Sequence, residues 1–223
     1  MIARVSPIAA LVLLIASTAG AQTDPPLHRL QLGAGVGFFG GAALGDADAN
    51  LRTATADPFR VFATSTEQAG TIGLDLRAAV DLTRRFGVEA HTLFARPDVR
   101  TSVTNDAENA PAVDAVEQLD QYLIDGGVVI RLNELRMGEW VPFATAGAGY
   151  LRQLHEGLTL SEHGHLFYVG GGVRRALLVR PKGFLRGLGV RGDVRLDILS
   201  DGITIEDKSR KHLSASGSLF VVF

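Results

Sequence analysis

Several side chains in this sequence have the chemistry of a hydrolytic site. His91 follows Glu89 by two positions, and Ser214, Ser216 and Ser218 occupy alternate positions near the C-terminus. A serine, a histidine and an acid held together can form a nucleophile, its base and the group that orients the base. The other interpretation is that His91 and a carboxylate belong to a buried polar network. We adopt the second interpretation and predict no enzyme and no catalytic residue.

Two further motifs suggest bound ligands. Residues 35–40 match the dinucleotide-binding pattern G-x-G-x-x-G, but no amphipathic helix follows to receive a pyrophosphate. These glycines are more typical of a curved strand in a narrow barrel. His155, His163 and His165 form a second cluster, yet a flexible loop offers a metal no fixed ligand geometry. The prediction is therefore no cofactor and no metal.

The strongest pattern is a set of charged residues at alternate positions. In 71–82 every even position is apolar, whereas Asp75, Arg77 and Asp81 lie at odd positions. In 187–198 the even positions are apolar or glycine, and the charges again share the odd positions. A helix would scatter these charges around its circumference, whereas a strand places them all on one face. Both segments are predicted to be strands.

Eight segments follow this alternation, and most are at least as long as the roughly 9–11 residues of a bilayer-crossing strand. They are 29–41, 71–82, 86–96, 120–132, 141–153, 165–178, 187–198 and 211–223. The facing of 141–153 stays open because Phe143 and Tyr150 have opposite parity, and that of 165–178 because Arg175 interrupts its apolar face. A bulge or a bend could explain either case.

The connections between these segments are alternately long and short. The short ones include Thr83-Arg84-Arg85 and Arg180-Pro181-Lys182-Gly183, whose residues are typical of turns. The long ones, of which 42–70 is the longest, are polar and are predicted to be irregular external loops. Outer-membrane barrels combine long external loops with short periplasmic turns. The predicted fold class is therefore all-β, an eight-stranded antiparallel up-and-down transmembrane β-barrel.

Inside such a barrel the charged face would form one network. An eight-stranded barrel is only wide enough to be filled by side chains, so charges within it must pair or contact water. The lumen is predicted to be plugged by ion pairs. The residues assigned to this network are Asp75, Arg77, Asp81, Glu89, Asp125, Arg131, Arg191, Asp193, Arg195 and Asp197.

The start of the sequence and its overall charge indicate an exported protein. Residues 1–21 are predicted to be a signal peptide, with Arg4 before an apolar run and Ala19-Gly20-Ala21 as the cleavage site, which leaves 22–223 as the barrel domain. The chain has no cysteine, so it has no disulfide. With 22 basic and 24 acidic residues its net charge is -2, which argues against a nucleic-acid partner.

Three stretches resemble the small outer-membrane β-barrel proteins of the outer-membrane-protein-A-like type. They are the glycine-rich strand 32–38, the strand 142–150, and the closing Ser218-Leu219-Phe220-Val221-Val222-Phe223. The resemblance implies a bacterial outer-membrane location and contact with outer-membrane lipids. It also implies that Leu219, Val221 and Phe223 form a signal for the barrel-assembly machinery. Aromatic residues for the two membrane interfaces are few, with one Trp and three Tyr.

The leading functional hypothesis is a non-enzymatic outer-membrane barrel, with a role in envelope structure or in contacts made by its external loops. A partner for the loops is not predicted. One alternative is a lipid-modifying enzyme on the same barrel, similar to a lipid A deacylase. It is suggested by His91 and by the histidines of the third loop, His155, His163 and His165. Another is a soluble periplasmic barrel that binds a small apolar ligand, which should place its apolar residues inside and its charges outside.

Overall fold

The computed structural model describes residues 29–51, 59–108, 111–155, 161–180, 183–201 and 209–223. The predicted signal peptide lies outside these residues, as do Pro181 and Lys182 of the last short turn. The described residues form twelve strands. These are β1 (Arg29–Phe39), β2 (Ala42–Leu51), β3 (Phe59–Gln68), β4 (Thr71–Asp81), β5 (Phe86–Ala95), β6 (Asp98–Thr104), β7 (Val113–Gln118), β8 (Asp120–Arg131), β9 (Trp140–Leu154), β10 (Ser161–Val179), β11 (Gly187–Asp201) and β12 (Arg210–Val222).

Eight of these strands close into an antiparallel barrel in the order β1-β12-β11-β10-β9-β8-β5-β4. The barrel closes where β1 pairs with β4 on one side and with β12 on the other. All eight predicted strands are present, with boundaries within a few residues of those expected from the alternation. The predicted fold class is therefore confirmed. A short 3-10 turn, Asn133–Leu135, lies between β8 and β9.

The alternating apolar and charged residues of the sequence form an apolar outer face and a polar inner face of the barrel. Ile72, Leu74 and Leu196 point outward and are 71%, 50% and 39% exposed, whereas Asp75 and Asp193 on the same strands are buried. A wall facing lipid needs this arrangement, because apolar side chains must meet the hydrocarbon while charges stay within the lumen. The alternative of a soluble barrel with an apolar interior and charged exterior does not fit these strands.

The structure shows which side chains of β9 and β10 point inward, which the sequence left open for 141–153 and 165–178. In β9 the alternation is regular, with Phe143 buried inside and Tyr150 exposed outside. In β10 Leu166 and Tyr168 point inward, and Arg175 points outward beside Glu139. A register shift does occur in β10, between Ala176 and Leu178, where the strand meets β11. Phe39 and Phe143 are buried in the lumen, so neither can serve as an aromatic residue at a membrane interface.

The expectation of irregular external loops is wrong for the first two. Their described residues form two hairpins, β2–β3 and β6–β7, which join into one antiparallel sheet of order β2-β3-β6-β7. We call it the loop-end sheet. Asp48 and Thr64, in a stretch that looked like a loop, bridge its strands through an ion pair with Arg60 and a hydrogen bond to the Ala47 carbonyl.

The barrel has two different ends. The turn end carries the short connections 82–85, 132–139 and 180–186, and the loop end carries the loop-end sheet. The first described strand, β1, starts at the turn end, and the last, β12, ends there. No helix among the described residues has the length and apolar character needed to cross a membrane.

Candidate functional site

The ten residues predicted to share the lumen all lie on the inner face of the barrel, and ion pairs join seven of them into one connected cluster. We call these seven, with His91, the central network. Its members are Asp75, Arg77, Glu89, His91, Asp125, Arg191, Asp193 and Arg195. They come from β4, β5, β8 and β11, so the network ties opposite walls of the barrel together.

Arg77 is the best connected member of the central network. Its Nε and one terminal nitrogen bind the two oxygens of Asp75, each at 2.8 Å, in the bidentate geometry that favours arginine. Its other contacts reach Glu89 at 3.3 Å, Asp193 at 3.1 Å and the Ser216 hydroxyl at 2.6 Å. This one guanidinium therefore contacts strands β4, β5, β11 and β12.

Glu89 is the carboxylate on which the arginines converge. Its side chain is fully buried and accepts hydrogen bonds from Arg77, Arg191 and Arg195, the last at 2.9 Å. Arg195 also stacks over the ring of Tyr168, with the guanidinium carbon 4.5 Å from the ring centre. Asp75, Asp125 and Asp193 pair with the same three arginines, so each charged residue of the central network has a partner of opposite charge.

His91 lies between two carboxylates rather than beside a nucleophile. Its Nδ1 is 2.5 Å from an Asp125 oxygen and its Nε2 is 3.0 Å from an Asp75 oxygen. In the described part of the chain no serine hydroxyl contacts the imidazole. Ser216 instead hydrogen-bonds Arg77 and Asp193. The Ser, His and acid residues that suggested hydrolysis are near one another but are not arranged as nucleophile, base and orienting group.

Three predicted members lie apart from the central network. Arg131 forms an ion pair with Asp81 near the turn end, and Gln31 donates to the same carboxylate at 2.7 Å. Asp197 lies toward the loop end and accepts a hydrogen bond from Ser214. The sequence pattern placed all ten on one face but could not tell how they divide along the barrel axis.

Above the central network, toward the loop end, the lumen changes from charged to apolar. Buried side chains from six strands pack there into one cluster, the apolar layer. It consists of Phe39, Leu93, Ala95, Leu123, Leu151, Leu166, Tyr168 and Leu199. Sequence reasoning missed this layer, although its odd-numbered leucines share the parity of the charged residues. The available signal was that inward positions near the loop end of β5, β8, β9 and β11 carry leucine.

A layer of glutamines covers the apolar layer. Gln121 accepts hydrogen bonds from Gln68 at 3.1 Å and from Gln153 at 2.9 Å, and all three side chains are buried. Beyond them Leu44, Val99 and Leu119 form a small apolar cluster at the base of the loop-end sheet. The lumen is thus occupied by successive charged, apolar and amide layers up to the sheet that stands on it.

Glycines make room for the largest inward side chain. A β-carbon on Gly147 would lie 2.7 Å from the Tyr168 hydroxyl, and one on Gly127 would lie closer still. Gly35, in the dinucleotide-like motif, faces the backbone of β12 so closely that a β-carbon would overlap the Gly217 carbonyl. These glycines therefore permit close packing inside a narrow barrel, where larger residues would collide.

The three histidines of the third loop do not converge. His155 contacts Glu117 of the loop-end sheet at 2.7 Å, His163 contacts the Tyr150 hydroxyl, and His165 is exposed on β10. In the described ranges, no three metal-ligating side chains are grouped closely enough to hold an ion. Glu156, the residue after His155 in the sequence, lies outside the described residues.

A closed eight-stranded barrel with an apolar outer wall and an ion-paired interior has the fold of the small outer-membrane β-barrels. Among solved structures it is similar to the outer membrane protein OprG from Pseudomonas aeruginosa, with a TM-score of 0.52, 8% identity and coverage of 89% of this chain and 97% of the other. It is also matched by Ail, the attachment invasion locus protein of Yersinia pestis, with a TM-score of 0.45, 12% identity and coverage of 88% and 99%. No family model matches the sequence, and no curated protein resembles it in sequence.

Proposed function

We propose that this protein is a non-enzymatic bacterial outer-membrane barrel, closed to ions, that acts in envelope structure or through contacts made at its loop end. The observation that carries the proposal is the contrast between a filled lumen and a structured loop-end sheet. Within the described residues, buried side chains occupy the interior, whereas the loop-end sheet presents an exposed surface. The loop end would then face the outside and the turn end the periplasm, as in other barrels of this kind.

The filled lumen supports a closed barrel. The central network crosses the barrel from β4 to β11, and the apolar layer lies above it. A cavity of about 20 Å³ remains beside His91 and Ser216, enough for about one water molecule. Ions crossing this interior would have to separate buried ion pairs and also cross a dry leucine layer, and each step is costly. The outer-membrane lipids would contact the apolar wall outside.

The loop-end sheet supports a role in contacts. Its strands are held by backbone pairing with one another and by packing of Leu44, Val99 and Leu119 at its base, so it is a structured platform. At its edge, β7 has one side unpaired among the described strands and exposes Val113 and Val116, each 60% exposed. Unpaired edges and exposed apolar side chains are the features that binding surfaces use.

A lipid-modifying enzyme is the less supported alternative. Its main candidate, His91, is buried between Asp75 and Asp125 and lies below the apolar layer. A residue acting on lipid must meet its substrate at the outer rim or the outer wall of the barrel. If His91→Ala altered lipid A composition in cells, this part of the proposal would be wrong.

Labelling of single cysteines tests the orientation and the membrane location together. The natural sequence has no cysteine, so each variant carries one reactive group. Val116→Cys on the loop-end sheet and Leu135→Cys at the turn end are matched in exposure, 60% against 62%. A membrane-impermeant maleimide should label the first in intact cells and the second only after permeabilisation. Equal labelling of both in intact cells, or recovery of the protein in the soluble periplasm, would contradict the proposal.

Further measurements complete the test. Migration on a detergent gel should depend on heating, as expected of a stable barrel, and the protein should fractionate with the outer membrane. Loss of Leu219, Val221 and Phe223 as a set should reduce that recovery if they form the signal for the assembly machinery. In a planar bilayer the purified barrel should give no discrete conductance steps, and steady ion conduction would refute the closed lumen.

A further inference from the structure

The turn end holds three arginines that the central network does not use. Arg29, Arg174 and Arg186 line one cavity of about 120 Å³, together with Gln31, Asp81 and Phe220. Within the described residues, none of these three guanidinium groups makes an ion pair or a hydrogen bond. In the central network, by contrast, every arginine has a carboxylate partner.

The carboxylates near this cavity are already engaged. Asp81 is the acidic residue of the lining, and it binds both Arg131 and Gln31. Glu89, whose charge also acts on Arg174, accepts hydrogen bonds from three other arginines. The remaining charged neighbours of Arg174 are Arg131 and Arg191, which repel it. The cavity therefore has an excess of positive charge that its own lining does not balance.

The surroundings of Arg174 and Arg29 also favour binding of an anion over simple hydration of their guanidinium groups. Arg174 is half-buried and lies over the ring of Phe220, with its guanidinium carbon 4.6 Å from the ring centre, so the ring restricts where this side chain can move. The Nε of Arg29 is buried and lacks a hydrogen-bond partner in the described part of the chain. A guanidinium is planar and presents parallel N–H donors, and the group that matches them is an oxyanion.

We propose that the turn-end cavity is an anion-binding site for a phosphate group, held chiefly by Arg29 and Arg174 with Arg186 at the mouth. A phosphate has only five non-hydrogen atoms and can accept two hydrogen bonds from each of two guanidinium groups. It supplies the negative charge that the cavity lacks. The phosphate could belong to a free ion or to a lipid headgroup, and the chemistry of recognition is the same. The inference does not depend on what the loop-end sheet contacts.

Phosphate titration tests the site directly. The full chain, refolded in a zwitterionic detergent whose own phosphate is absent, is labelled with ¹⁵N at arginine, and the Nε–H signals are followed as inorganic phosphate is added. Signals of Arg29 and Arg174 should shift and saturate. Arg174→Gln should weaken phosphate binding about tenfold or more, since a hydrogen bond to a charged group is lost. Added sodium chloride should weaken binding further through screening.

The chain supplies a matched control for Arg174. Arg175 is the next residue on β10 but points outward, where it pairs with Glu139 and lies over Trp140. Arg175→Gln should leave the phosphate affinity unchanged. If Arg174→Gln does not fold, as judged by heat-dependent gel migration, Arg29→Gln serves in its place. Absence of a saturable shift, or equal weakening by the two β10 variants, would overturn the proposal.

A second titration, with a phospholipid present, identifies the source of the phosphate. Phosphatidylglycerol is added to the micelles before the titration. If the site takes a lipid headgroup, this lipid should compete with inorganic phosphate in the natural protein and should shift the same arginine signals. If the site takes a free ion, the phosphate affinity should not change. Either result supports an oxyanion site, and they differ only in where the anion comes from.

Discussion

Replacing Arg77 with methionine should destabilise the barrel far more than the same replacement at Arg96. Each arginine has its Nε 2.8 Å from an aspartate oxygen, Asp75 for Arg77 and Asp120 for Arg96. The difference between them is burial, because the side chain of Arg77 is 5% exposed and that of Arg96 is 59% exposed. Arg77 also contacts Glu89 and Asp193, so the pair of variants compares a buried, multiply paired arginine with an exposed, singly paired one.

The burial of the central network determines how much stability Arg77→Met should lose. Arg77→Met leaves four buried carboxylates in the central network, Asp75, Glu89, Asp125 and Asp193, with two arginines and His91 to satisfy them. Removing one partner from a buried ion pair typically costs about 3–5 kcal/mol, because the other charge stays buried and unpaired. An exposed pair contributes about 0–1 kcal/mol, and the weak stacking of Arg96 on Phe94 adds little.

Unfolding in urea measures both values. The protein is inserted in lipid vesicles, and the fluorescence of its one tryptophan, Trp140, is followed through the transition. Arg77→Met should lower the free energy of unfolding by about 3–5 kcal/mol, and Arg96→Met by about 1 kcal/mol or less. Adding Asp75→Asn to Arg77→Met should recover part of the loss. Equal losses for the two arginine variants would refute the idea that the lumen behaves as a low-dielectric interior.

Three other predictions follow from the packing. Gly35→Ala should lower the yield of folded barrel on a detergent gel, because its β-carbon would collide with β12, whereas Gly217→Ala on that strand meets no atom within 4 Å and should fold normally. Leu151→Ala should cost about 2–5 kcal/mol in the urea assay by leaving a cavity in the apolar layer, while Val113→Ala on the exposed edge should stay within about 0.5 kcal/mol of the natural protein. Leu76→Arg, on the lipid-facing wall, should cost about 2–4 kcal/mol in vesicles, and a loss below 1 kcal/mol would contradict the outward facing of β4.

The barrel strands could be predicted because charge and burial have the same period as the backbone. In 71–82 and 187–198 a single parity carries all the charges, so the pattern fixes both the strand and its facing. The same reasoning placed the ten lumenal residues on one face. It could not assign their partners, because which arginine reaches which carboxylate depends on the stagger between neighbouring strands, which one strand's sequence does not contain.

Other features of the structure could not be predicted from the sequence, each for a physical reason. The run of glycines before Val173 removes the alternation in β10, so the inward facing of Arg174 was not visible. The residues of β2, rich in Asp, Ala and Asn, are typical of loops, and they become a strand only because β3 supplies a pairing edge. The apolar layer was missed because leucines on the inner face look like an error in the pattern when the lumen is assumed to be charged throughout.

The seam between β1 and β12 links the two extremes of the described chain. Residues 31–39 pair with residues 214–222 in one unbroken register, so the cylinder cannot close until nearly all of the polypeptide has been synthesised. Contacts this distant in sequence form slowly. Until then the apolar wall strands have unpaired edges that can pair with other copies of the chain, so closure of this seam is the step that removes the risk of aggregation.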